Sequence, residues 1–277
     1  MASWSTSSDA PVGDAVEVSA WRVADRWLAR LPSIRNVVRQ ELVARFVAAH
    51  LPRGGELQVL DAGCGQGTQA VRLARLGHRV DGVDPDQQMM AAFEAALAVE
   101  QPATRARIRL VRGRVADLPA LLEPASYDVA LCHGVLMYVP DPAPLVRALA
   151  AMVAPGGIVS LLARNQAGIA VRAGHRGSWA DALAALKGDA VYENELGETA
   201  RADTVPDLVA LVESAGLELL GWYGVRVLCD NATLDADPPP PGSDELAALL
   251  EAEELAGRSD PYRGVAPLIQ VIAAAPV

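Results

Sequence analysis

Val59-Leu60-Asp61-Ala62-Gly63-Cys64-Gly65-Gln66-Gly67-Thr68 is the stretch that decides the fold. A mostly apolar run through Leu57, Val59 and Leu60, interrupted only by Gln58, breaks into glycines at every second position and then into a helix-forming stretch. The pattern predicts a strand, a tight loop and a helix start. Glycine's missing Cβ lets a ligand lie against the main chain, and a helix N-terminus places N–H donors beside it. The chemistry suggested is binding of a nucleoside-containing cofactor.

Working outward from that loop, strand and helix patterns alternate. Strands are expected at Leu57 to Asp61, Arg79 to Val83, Arg107 to Val111, Asp128 to Cys132 and Ile158 to Ala163. Helices are expected at Gln66 to Leu76, Asp86 to Val99 and Pro142 to Met152, with a short segment around Asp117 to Leu122. Such alternation specifies an α/β fold with a mostly parallel, doubly wound, Rossmann-like sheet, whose ligand crevice lies at the carboxyl ends of the strands beside the first one. Upstream, Trp21, Val23, Trp27 and Leu28, then Val37, Val38, Leu42, Phe46 and Val47, recur at helical spacing, predicting two amphipathic helices with Pro32 as a stop and Ser33 as a cap.

The expected organisation is a disordered tail over residues 1–17 followed by one domain over 18–277. Residues 18–52 form N-terminal lid helices, 165–205 an insertion on the substrate side after the fifth strand, and 235–242 a proline-rich connector. Within the insertion only Trp179 to Leu186 is expected to make a short helix. Helix Pro206 to Ala215, strand Leu217 to Leu228, helix Ser243 to Ala256 and strand Leu268 to Ala273 complete the chain.

The 277 residues are 51% hydrophobic, enough for one large core without disulfide or metal support. Cys64, Cys132 and Cys229 match no metal spacing and read as buried reduced thiols, so no metal is expected. The longest apolar runs are too short for a membrane span, and the first residues resemble no signal peptide, which places the expected chain in the cytoplasm. Net charge is −10, yet residues 185–277 alone carry −12. That acidic last third argues against a broad phosphate-binding face there, and DNA is not an expected partner.

Asp61 closes the first strand and Asp84 the second, where a carboxylate can accept both ribose hydroxyl hydrogens. By itself this suits NAD equally well. After the third strand comes Gly113-Arg114-Val115-Ala116-Asp117-Leu118-Pro119, where an adenine amino group can donate to Asp117 and its N1 can accept from Ala116 N–H. The fourth strand ends in Cys132-His133-Gly134-Val135-Leu136-Met137-Tyr138-Val139.

This ensemble resembles the class I S-adenosylmethionine-dependent methyltransferases, with their D-x-G-x-G-x-G loop, acid after strand two and A-D-L turn. Residues Gly113 to Pro144, Leu145-Val146-Arg147 to Pro155-Gly156-Gly157, Gly224-Val225-Arg226-Val227 and Asp260-Pro261-Tyr262 are similar to the tRNA 5-carboxymethoxyuridine methyltransferases, from about Ser33 to Ala273. The resemblance implies a seven-stranded sheet with one antiparallel strand and S-adenosylmethionine as cofactor, with S-adenosylhomocysteine as product. It implies that Arg35 pairs with the methionine carboxylate, that Gly63, Cys64 and Gly65 lie against the cofactor and Asp84 on its ribose, that Val115 and Ala116 border the adenine, and that His133 stands beside the sulfonium. Met89 is expected in the apolar wall.

On the acceptor side, Arg164 or Arg226 would orient a carboxylate, with Tyr138, Asn165 and Tyr262 donating around it. For a hydroxyl or amine acceptor a base is needed, and His133 or His175 are the candidates. The family's lysine cluster in the insertion is replaced here by Asp189, Glu193, Glu195 and Glu198 around Lys187 and Arg201. The expectation is therefore methylation of a carboxylate or oxygen on a small-molecule or unassigned acceptor, with tRNA as the alternative. A non-catalytic cofactor-binding protein and an NAD dehydrogenase are the competing classes.

Overall fold

The computed structural model describes residues 24–189, 191–194, 196–233 and 236–277. The expected tail, Trp21 and Val23 of the first lid helix, Glu195 and Asp235 lie outside the described residues.

In chain order the elements are α1 (residues 24–29), α2 (Ile34–Ala48), β1 (Gln58–Ala62), α3 (Thr68–Arg75), β2 (Arg79–Asp84), α4 (Gln87–Ala98), α5 (Pro102–Arg105), β3 (Ile108–Arg112) and α6 (Leu118–Leu121). Then follow β4 (Tyr127–His133), α7 (Ala143–Met152), β5 (Val153–Arg164), α8 (Gln166–His175), α9 (Trp179–Leu186), β6 (Val191–Glu193), β7 (Thr199–Arg201), α10 (Val205–Ser214), β8 (Glu218–Val225), α11 (Asp244–Arg258) and β9 (Leu268–Ala274). Among the described residues no helix is long and apolar enough to cross a membrane.

The main sheet has seven strands in the order β3-β2-β1-β4-β5-β9-β8. β1 pairs in parallel with both β2 and β4, so the winding reverses there, above the glycine loop. β9 runs antiparallel between β5 and β8, giving the one antiparallel strand. Side-chain alternation divides the core between the two faces. Leu60, Ala62, Ala130, Cys132 and Leu161 join Leu118 of α6, Leu149 of α7 and Leu208 of α10. Val59, Val129, Leu131 and Leu162 join Phe46 of α2, Leu73 of α3, Phe93 of α4 and Leu250 of α11.

Three local expectations change. The insertion contains α8 as well as α9, and a two-stranded sheet of β6 and β7. Glycines at 168 and 174 obscured α8, yet Gly168 is there for packing: a Cβ on it would stand 2.3 Å from the Ala266 carbonyl oxygen. The strand expected to run to Leu228 ends at Val225, because Arg226 takes a left-handed φ of 67°. Ser33 occupies the N-cap of α2 with extended backbone but does not cap through its side chain; its hydroxyl donates instead to the Arg30 carbonyl at 2.7 Å.

Candidate functional site

A cavity of about 650 Å³ opens over the carboxyl ends of the central strands. The glycine loop forms its floor. Gly63 and Cys64 both donate to the Val83 carbonyl, at 2.7 and 3.1 Å, which ties the loop across to β2. Gly63, Gly65 and Gly67 have φ of 75°, 53° and 79°, left-handed conformations in which a Cβ is strained. Gly63 is doubly required, since a Cβ there would meet Val135 Cγ2 at 2.3 Å.

Two carboxylates stand at the loop end. Asp84 accepts from Gly65 N–H and Asp86 N–H, each at 2.9 Å, leaving one lone pair per oxygen for a ligand. Asp86 in turn caps α4 through Gln88 and Met89 N–H at 2.8 and 2.9 Å. Asp61 is buried; burial and the Asp84 charge push its carboxyl up to about 7, against a backbone hydrogen bond from Ala70. Burial and both carboxylates push the Cys64 thiol up as well, so it is no thiolate nucleophile.

The Asp61 carboxyl makes folding stability depend on pH. The folded chain holds this proton more tightly than the unfolded chain does, so stability of the ligand-free protein falls as pH rises from about 4 through about 7. Asp61→Asn keeps an acceptor for Ala70 N–H and removes the buried charge. Denaturant titration at pH 8 is expected to show the variant more stable by about 2–4 kcal/mol, with the difference vanishing near pH 4.

The cavity also carries a basic lining. Arg35, Arg39, Arg164 and Arg226 all line it. Arg35 and Arg226 are buried and pair with Asp230 at 3.2 and 3.1 Å, and Arg172 reaches the same carboxylate at 3.5 Å. Burial together with the Arg226 and Arg164 charges pushes Arg39 down to about 9, which leaves it a cation at neutral pH. Arg39 lies over the Trp27 ring, 4.8 Å from its centroid. Among the described residues Arg39 Nη1, Arg164 Nε, Arg226 Nε and His133 Nδ1 are buried without a hydrogen-bond partner. All four guanidiniums are donors only, so the arrangement favours an anion.

α1 crosses the mouth. Trp27 Nε1 donates to Gln66 Oε1 at 2.8 Å, Asp25 accepts from Gln88, and Arg26 donates to the Leu196 carbonyl in the β6–β7 hairpin.

Arg35, Asp61, Gly63, Cys64, Gly65, Asp84, Met89, Val115, Ala116, His133, Tyr138, Arg164 and Arg226 are brought together around this one cavity. Three expected members are not. Asp117 belongs to a 3-10 turn, Val115–Asp117, that leaves its carboxylate exposed, while Arg114, Val115 and Ala116 face the cleft. Asn165 is buried as the N-cap of α8, accepting from Ala167 N–H and donating to the Gly264 and Ala266 carbonyls at 2.9 and 2.7 Å. Tyr262 is 55% exposed, away from the cavity. His175 is also exposed, bound to Asn231. Sequence reading missed Arg39; the available signal was its i+4 spacing from Arg35 on a largely apolar helix.

Residues 60–161 match a family described as a methyltransferase domain. Over 246 residues the chain is 30% identical to the tRNA 5-carboxymethoxyuridine methyltransferase of Escherichia coli O157:H7, covering 88% of each chain. It is 39% identical over 110 residues to the ubiquinone biosynthesis O-methyltransferase of Albidiferax ferrireducens, 39% of this chain and 42% of that one. Among solved structures, magnesium protoporphyrin IX methyltransferase from Synechocystis PCC 6803, with bound S-adenosylhomocysteine, superposes with a TM-score of 0.60 at 17% identity, covering 95% of this chain and 98% of the other.

Proposed function

We propose, from the premise that this chain belongs to the tRNA 5-carboxymethoxyuridine methyltransferase family and is an S-adenosylmethionine-dependent methyltransferase, that its methyl acceptor is a carboxylate. The observation that supports this is the group of cavity arginines, three of which present buried N–H atoms without partners among the described residues.

The residues present fit the cofactor. Asp84 keeps free lone pairs for ribose hydroxyls, and Gly63 and Gly65 present bare main chain in the cavity lining. In this reading Arg35 holds the methionine carboxylate beside Gly63, Cys64 and Gly65. Asp61 stands near the ammonium, Val115, Ala116 and Met89 border the adenine, and His133 lies toward the sulfonium. When bound, the cofactor supplies a methyl group activated on positive sulfur.

The chain's contribution is to hold a carboxylate oxygen in line with that methyl at contact distance. Arg164 and Arg226 orient the acceptor, and Tyr138 supplies a hydroxyl beside them. An ionised carboxylate has no proton to give up, so no residue has to act as base. α1 serves as the lid, and the insertion of α8, α9 and the β6–β7 hairpin forms the acceptor's side of the cleft.

The insertion favours a small acceptor. It carries Asp189, Glu193 and Glu198 where a phosphate-tracking face needs cations, and Glu198 itself lines the cavity. The second reading is tRNA, which rests on the 88% coverage of a tRNA-modifying relative.

Incubation with methyl-labelled cofactor and either total tRNA or a pool of carboxylate metabolites tests both. A methyl ester loses its label as methanol in mild alkali, whereas an ether or a methylamine keeps it. Alkali-stable product would sink the carboxylate reading, and ribonuclease-sensitive label would move the acceptor to tRNA.

A further inference from the structure

We propose that Ser160 and Gln270 fix His133 in its Nδ1–H tautomer, and that this N–H and the Arg39 guanidinium together form the receptor for the acceptor's carboxylate. The inference rests on the carboxylate reading above and adds the residues that recognise it.

A buried chain of hydrogen bonds runs from Gln270 through Ser160 to His133. Gln270, fully buried, places its Nε2 3.3 Å from the Val43 carbonyl oxygen and 3.0 Å from Ser160 Oγ. Turning the amide over would set its oxygen against a carbonyl oxygen, so Nε2 is the donor to both. Ser160 Oγ, also fully buried, accepts from Gln270 and has one hydrogen of its own to donate. Leaving a buried hydroxyl hydrogen unpaired costs about 1–3 kcal/mol. Among the described residues His133 Nε2, 2.9 Å away, is the atom that takes it.

An imidazole whose Nε2 accepts carries its proton on Nδ1 when the ring is neutral. Neutrality is secured by burial and by the Arg39 charge, which push the ring down to about 3. His133 Nδ1 therefore bears a hydrogen, and it has no partner among the described residues. This removes His133 as a base. One nitrogen is occupied by Ser160 and the other is already protonated.

Arg39 supplies the second donor. Its Nη1 is buried and also without a partner, and its Nη2 lies 3.0 Å from where a Cβ on Gly134 would stand, immediately after His133. A side chain at 134 would crowd that guanidinium, which glycine leaves clear. Trp27 backs the guanidinium and holds its plane. Arg35 has the shared carboxylate Asp230, whereas no carboxylate among the described residues pairs with Arg39. Two donor-only groups, one of them cationic, complement an oxygen anion and reject an amine or a methyl ester.

Histidine-selective 15N labelling of the ligand-free protein reads the tautomer directly, with His133→Asn identifying its signals among the 4 histidines. The expected spectrum has Nδ1 protonated and Nε2 bare, and Ser160→Ala is expected to return the ring to the commoner Nε2–H form. An Nε2–H ring in the unaltered protein overturns the proposal. Calorimetry then titrates phenoxyacetate and its methyl ester into protein saturated with S-adenosylhomocysteine.

The acid is expected to bind and the ester not. Arg39→Met and His133→Ala are expected to weaken the acid at least about tenfold, His133→Asn, which keeps an N–H near the Nδ1 position, to weaken it less than about threefold, and Arg39→Met to leave S-adenosylhomocysteine affinity in place. Equal binding of acid and ester, or no binding of the acid, overturns the receptor. A loss confined to S-adenosylhomocysteine would show that the two donors serve the cofactor's own carboxylate, and also overturns it. If S-adenosylhomocysteine fails to bind the unaltered protein, the cofactor assignment of the site fails, a result separable from the tautomer spectrum.

Discussion

Replacing Asp230 with alanine is expected to cost about 3–5 kcal/mol of folding stability, the usual penalty for removing one partner of a buried ion pair. Its oxygens lie 3.2 Å from Arg35, 3.1 Å from Arg226 and 3.5 Å from Arg172, and none of the four side chains is more than 14% exposed. Burial alone would raise the Asp230 carboxyl, but Arg226, Arg172 and Arg35 outweigh it and hold it below the ordinary range. A lowered carboxylate contributes stability above its unfolded value, and that contribution disappears as pH falls through the folded one. The deficit of Asp230→Ala should thus be full at pH 7 and shrink below about pH 4. Asp230→Asn keeps the shape and loses the charge, so it should fall nearly as far. Urea denaturation of both variants checks this; a loss under about 1 kcal/mol would mean that the arginines do not depend on the shared carboxylate.

Gly67→Ala is expected to cost about 2–5 kcal/mol, combining left-handed backbone strain with overpacking. At φ 79° its Cβ would lie 2.1 to 2.3 Å from three ring carbons of Phe93. That ring is fully buried, so it can yield only by displacing the side chains packed around it. Gly65→Ala, by contrast, meets only Met89 Sδ at 3.9 Å and pays the backbone term alone, about 1 kcal/mol. Thermal and denaturant unfolding of the two variants should separate clearly, although both replace a glycine of one motif. Equal losses would show that the Phe93 wall yields.

The parts of the fold that were legible in the sequence are those set by local periodicity. The five parallel strands and the reversal beside β1 follow from alternating patterns that the packing keeps. Asp84 was legible because the end of β2 fixes where its carboxylate stands. Most of the missed features depend on partners distant in sequence. Gly168 reads as a helix breaker until Ala266 is seen pressing against it. Asn165 has the chemistry of a ligand group, but its cap and its two carbonyl partners use it up. Asp117 was assigned from a turn motif, and the 3-10 geometry of that turn sends its carboxylate outward. Arg39 is visible in the sequence, while its lack of an acidic partner among the described residues is a tertiary fact. The Ser160–Gln270 pair joins β5 to β9 at a distance of 110 residues, beyond any local signal.

The position of Trp27 gives the molecule an optical handle. Its indole lines the cavity, is anchored through Nε1 to the glycine loop and lies against a guanidinium. Emission from an indole shifts with the polarity and charge around it, so filling or emptying the cleft is written into the protein's own fluorescence. Ligand exchange can then be timed by stopped flow without any attached dye, and the helix that spans the mouth becomes its own clock.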